Sequence, residues 1–93
     1  MTGPTLRQKV LVSNPQGFHL RPVAAFVTQV MKYPGEVYVF KGEERADGKS
    51  PFALLALGAD QGTELTIEVS GEKAETVLQN LVEIFHARFP DPE

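Results

Sequence analysis

The chain reads as a two-layer α+β open-faced sandwich: a four-stranded antiparallel sheet with three helices on one face, in the order βαββαβα. Three observations predict it. Thr63 to Ser70 alternates cleanly, with Leu65, Ile67 and Val69 on one side and Glu64, Thr66 and Glu68 on the other, as a strand with one dry face does. Val23 to Met31 and Ala74 to Phe85 each carry a single apolar stripe at helical spacing. Strands with one dry face and helices with one dry stripe satisfy each other when every helix lies on the same side of the sheet. The 93 residues suit a single domain over 1–93, with a core at about 5–88 and loose tails at 1–4 and 89–93. So small a domain has little room for a deep enclosed site, and a functional site is expected at the surface.

Leu6 to Ser13 alternates, with Gln8, Val10 and Val12 opposed to Lys9, Leu11 and Ser13, and forms the first strand. Asn14-Pro15-Gln16-Gly17 breaks it into a loop. Val23, Phe26, Val27, Val30 and Met31 then fall at i, i+3, i+4, i+7 and i+8, and all five are assigned to the core. Pro22 is tolerated only where a helix has not begun to use its donors, which places the helix start at residues 19 to 21; Pro34-Gly35 ends it. Glu36 to Lys41 is β-branched and aromatic, and Gly42 turns it into a weaker, charged strand over about Glu43 to Ala46 that suits a sheet edge. Ser50 before Pro51 reads as N-cap and first helical residue of a short helix, Pro51 to Leu57, that stops at Gly58. Gly48-Lys49-Ser50 is not the end of a P-loop, because the residue five before Gly48 is Glu43 and not glycine. Asp60-Gln61-Gly62 turns into the Thr63 strand. From Glu72 onward Ala74, Val77, Leu78, Leu81, Val82 and Phe85 build the last helix, with His86 and Arg88 as solvated cations in its final turn.

A formal net charge of −3 leaves no basic field to hold nucleic acid or an anionic membrane surface. Cysteine is absent, which removes disulfides and thiolate catalysis and fits a reducing cytoplasm. Two histidines far apart make no metal site, and nothing calls for a cofactor. The chain has no long apolar run, and Met1-Thr2-Gly3-Pro4 lacks the basic and apolar regions of a signal peptide, so a soluble cytoplasmic protein is expected.

Chemistry concentrates in Gly17-Phe18-His19-Leu20-Arg21-Pro22. His19 sits at the positive end of a helix, where backbone N–H groups and the dipole suit an anion such as phosphate. Arg21 adds a permanent charge whose fork of donors matches phosphate oxygens. A nucleophilic imidazole in such a place suits a histidine that accepts a phosphoryl group and passes it on. Against this stands the plainer role: a lone histidine near a helix start is more often a cap or a surface residue.

Over about Lys9 to Phe85 the chain resembles the HPr family, the histidine-containing phosphocarriers of the phosphoenolpyruvate-dependent sugar phosphotransferase system. Two separated signatures carry the likeness: Gly17-Phe18-His19-Leu20-Arg21-Pro22, and Lys49-Ser50-Pro51-Phe52-Ala53-Leu54-Leu55-Ala56-Leu57-Gly58. The resemblance implies that His19 is phosphorylated on Nδ1 by enzyme I and hands the group to an enzyme IIA, with Arg21 balancing charge. It implies a phosphoryl-transfer intermediate rather than an independent catalyst, working as a monomer. Ser50 falls on the family's regulatory serine, the target of HPr kinase/phosphorylase, although capping alone also explains a serine there. Leu20, Lys49, Pro51, Phe52 and Leu55 would belong to the partner-binding face.

The sequence departs from the family at Leu20, where a small residue or threonine is usual, and at Pro51, where a large aliphatic is usual. Thr28, Met31 and Ala53 stand where members often carry lysine, so the face is less basic and its steering of an acidic partner weaker. A regulatory or nitrogen-type phosphotransfer chain is therefore an alternative to sugar uptake. Two further readings are open, the first of them resting on a ferredoxin-like arrangement of the first six elements. An acylphosphatase-like hydrolase would need an arginine in its phosphate-cradling loop, which Asn14 to Gly17 lacks. An ACT-like ligand-binding module would use His19 only as a cap.

Overall fold

The strand with the cleanest alternation lies inside the sheet. In the computed structural model, which describes residues 4–87, the elements are β1 (Thr5–Leu11), α1 (Leu20–Val30), β2 (Glu36–Lys41), β3 (Glu44–Asp47), α2 (Pro51–Ala56), β4 (Glu64–Ser70) and α3 (Ala74–His86). The strands form one antiparallel sheet in the order β1-β4-β2-β3. β4 sets Leu65 opposite Val10, Ile67 opposite Val39 and Val69 opposite Val37, and these rows are buried under the helices. The centre of the sheet is thus β2 and β4. A ferredoxin-like sandwich would put the first and third strands there, so the topology removes the structural basis of the acylphosphatase-like reading.

Among the described residues no second layer covers the other face of the sheet. Arg7 bonds Glu68 at 2.7 Å and lies 5.0 Å from the centre of the Phe40 ring, while Arg45 lies 4.6 Å from that of Tyr38. Guanidinium groups over aromatic faces shield the half-buried rings while keeping their charge in water.

α3 packs on β1 and β4, and α1 packs against α2 and α3. The rings of Phe18, Phe26 and Phe85 meet with centroids 5.3 to 5.8 Å apart, joining the loop before α1 to both long helices. Such aromatic contacts add to the stabilisation that burial gives.

Met31 is a correction to the sequence reading: expected in the core, it is 63% exposed. The buried stripe of α1 is Pro22, Val23, Phe26 and Val30; eight residues at about 100° each carry Met31 about 80° past Val23 and off that stripe. Val27, at the stripe's edge, is half-buried. The tail was expected to include Pro4, but its carbonyl accepts a hydrogen bond from the Gly71 N–H at 3.2 Å. α3 begins at Ala74 rather than Glu72, because Gly71 and Lys73 hold φ of 118° and 63° and cannot belong to a right-handed helix. Arg88 and the expected tails at 1–3 and 89–93 lie outside the described residues.

Candidate functional site

The loop that delivers His19 is built against the segment before β4. Val12 N–H donates to Thr63 O at 2.9 Å and Gly62 N–H to Val12 O at 2.7 Å, which extends the β1–β4 pairing towards the loop. Gly17 closes the turn with its N–H on Asn14 O at 3.0 Å and a φ of 80°. A Cβ at Gly17 would stand 2.6 Å from Ala59 O, so both the conformation and the space demand glycine. One residue on, Phe18 N–H donates to the same carbonyl at 2.8 Å, and its ring, 2% exposed, enters the aromatic cluster. Phe18 therefore fixes the chain direction immediately before His19.

His19 is the N-cap of α1, with φ −117° and ψ −156°, and its carbonyl accepts the Val23 N–H at 2.8 Å. Its side chain makes no capping hydrogen bond, and the residue is partly exposed. The plain role is thus met by the backbone alone, leaving the ring without a capping task. Leu20 and Arg21 occupy the first two helical positions and Pro22 the third rather than the first. The proline still costs little, since an N–H there would seek an acceptor outside the helix. No acidic residue stands in the first turn to offset the positive end of this eleven-residue helix, and Arg21 is exposed on it.

Ser50 begins α2 differently. Its Oγ accepts the Ala53 N–H at 3.3 Å, Pro51 follows as the first helical residue, and the Leu54 N–H bonds Ser50 O at 3.1 Å. Before it, Asp47 takes the Lys49 N–H on Oδ1 at 2.8 Å and the Ser50 N–H on its carbonyl at 3.0 Å. Of the residues expected on the partner face, Leu20 (68%), Phe52 (84%) and Pro51 are exposed and Lys49 is half-buried. Leu55 is half-buried and packs against the core.

Sequence reasoning missed Lys41, whose Nζ reaches from the end of β2 to Leu57 O at 3.0 Å and Gly58 O at 3.4 Å. A cation on the last carbonyls of α2 is well placed against the helix dipole, but only the fold brings it there. Among the described residues no cluster of three or more His, Cys, Asp or Glu could hold a metal, and no helix is long and apolar enough to cross a membrane. The clear pKa shift lies elsewhere: burial, helped by Glu72, raises the Tyr33 hydroxyl above 10.0 while it donates to Ser70 O at 2.8 Å.

Fold and loop together define the class of small open-faced sandwiches organised round a histidine at a helix start. Residues 6–87 match the family described as PTS HPr component phosphorylation site, and the chain belongs to that family, the HPr phosphocarriers. The phosphocarrier protein HPr of Pseudomonas aeruginosa is 36% identical over 86 residues, covering 91% of this chain and 96% of its own. That of Haemophilus influenzae is 38% identical over 74 residues, covering 80% and 85%. Among solved structures, HPr-C-His from Thermoanaerobacter tengcongensis superposes with a TM-score of 0.87 at 25% identity, over 95% of this chain and 99% of its own.

Proposed function

We propose that this chain carries phosphoryl groups in a phosphotransferase system, accepting them on Nδ1 of His19 from enzyme I and passing them to an enzyme IIA. The observation that carries the reading is the His19 ring: at the positive end of α1, partly exposed, and not used to cap the helix. In the forward step the lone pair of Nδ1 attacks the phosphorus held by the donor, the new N–P bond forms as the old bond breaks, and the donor group leaves with its electron pair. Arg21 and the first-turn N–H groups favour the dianionic group at both stages. The chain then acts as a substrate of its partners rather than as an independent catalyst, and as a monomer, since successive partners need the same face uncovered.

Ser50 is proposed as a second, regulatory phosphorylation site. A phosphoryl group at the N-cap of α2 is compatible with the helix and adds about two negative charges that repel acidic partners. The test of the carrier reading is labelling from phosphoenolpyruvate through enzyme I. Acid-labile, alkali-stable phosphate should appear on the wild-type chain and be absent from His19→Ala; retained labelling in that variant would falsify it.

A further inference from the structure

Lys41 stands where the alternation of its strand predicts an apolar residue. Along β2, Val37, Val39 and Lys41 point to the same side of the sheet, and the two valines are buried. Holding a half-buried lysine in that row costs side-chain freedom, so the position is explained by what the ammonium reaches. Lys41 Nζ donates to Leu57 O at 3.0 Å and to Gly58 O at 3.4 Å, two carbonyls beyond the reach of the N–H groups of α2. Gly58, with φ 62°, turns the chain out of the helix, and the next peptide presents the Ala59 carbonyl. That oxygen accepts the Phe18 N–H at 2.8 Å and is the atom that a Cβ at Gly17 would strike. Lys41 and His19 are thus joined through one short segment, 57–59: the ammonium holds its first two carbonyls, and the residue before His19 bonds the third.

We propose that Lys41 is a positioning residue for phosphoryl transfer: by fixing the carbonyls of Leu57 and Gly58 it aims Ala59 O at the Phe18 N–H, and so sets the orientation of His19 towards a phosphoryl donor. The inference rests on the carrier reading of His19 and adds a residue to it. Lys41 acts through segment 57–59 and not on the phosphoryl group. The side chains of Leu57 and Ala59 are buried and keep that segment against the core, but burial has no direction and does not decide where a carbonyl points. A charge-assisted hydrogen bond does. The aim matters because a misplacement of about 1 Å at a reacting group can slow its reaction about a hundredfold.

The experiment compares the full chain with Lys41→Met, which keeps the stem and removes the charge, and Lys41→Arg, which keeps the charge. Single-turnover transfer from phosphorylated cognate enzyme I gives a saturating rate and a half-saturating concentration. Lys41→Met should lower the saturating rate about tenfold and leave the half-saturating concentration within about twofold, while Lys41→Arg recovers most of the rate. Amide hydrogen exchange, read by NMR with no donor present, should quicken about fivefold at Phe18 in Lys41→Met and stay unchanged at Ile67 in the centre of the sheet. An unchanged saturating rate overturns the inference while leaving the carrier reading intact, as does exchange that quickens equally at Ile67. Lys41→Gln, shorter and uncharged, repeats the comparison, and loss of the fold in both uncharged variants marks a structural residue and overturns the inference too. No transfer to the wild-type chain overturns the carrier reading and the role in transfer with it; the Phe18 exchange result tells that failure from a failure of the Lys41 linkage itself.

Discussion

At the start of α2 the Ser50 hydroxyl accepts the Ala53 N–H, whereas at the start of α1 the His19 ring makes no such bond and the helix is held in place by Phe18, the residue before it. Both helices have proline in the first turn and a residue in extended conformation as N-cap. The difference lies in what the capping side chain is for. Ser50 stabilises its helix, so any modification there acts on a group that already has a structural task. His19 contributes its backbone alone, so its side chain can react without weakening the helix it begins.

Substitutions at the two starts should therefore separate stability from transfer. The largest effect is on transfer: His19→Ala should lose all phosphoryl labelling while its unfolding free energy, from urea titration, stays within about 0.5 kcal/mol of wild type. A large loss of stability would show that the ring has a structural task. Next in size, Phe18→Ala should cost about 3–5 kcal/mol, since it empties the centre of an aromatic cluster, and transfer should slow even under conditions where the variant is folded. Ser50→Ala should cost about 1 kcal/mol through the lost cap, with transfer to His19 close to wild type. If Ser50→Ala abolished labelling, the division of labour between the two helix starts would collapse.

The far end of α1 supplies the smallest and most specific effect. Tyr33 has its acidity weakened by burial and by Glu72, so the folded state holds the neutral phenol more firmly than the unfolded chain does. That contribution is complete below the ordinary value of 10.0 and is lost as pH rises through the raised folded value. Unfolding midpoints should accordingly drop as pH climbs past 10, and Tyr33→Phe should flatten that part of the profile. An identical profile in the variant would assign the alkaline loss to other groups.

Much of this arrangement was legible in the chain. The alternation of Leu65, Ile67 and Val69 and the stripes of α1 and α3 are local periodicities, and they imposed the two layers. His19 and Ser50 were legible because helix starts are written by neighbours in sequence, here proline and serine. Met31 was misread because counting i+8 cannot tell the edge of a stripe from its centre; only the packing of Phe26 and Val30 decides which way α1 turns. Phe18 was read only as a neighbour of His19, since a residue in a loop has no period. Lys41 was invisible for another reason: its partners lie at Leu57 and Gly58, and nothing local links a strand end to a distant helix end.

The central claim is tested most directly on the ring itself. A nitrogen-15-labelled sample, phosphorylated with phosphoenolpyruvate and enzyme I, should show phosphorus coupled to Nδ1 of His19, with His86 and Ser50 unchanged. Phosphorus on His86 or Ser50, or on no residue, would contradict it.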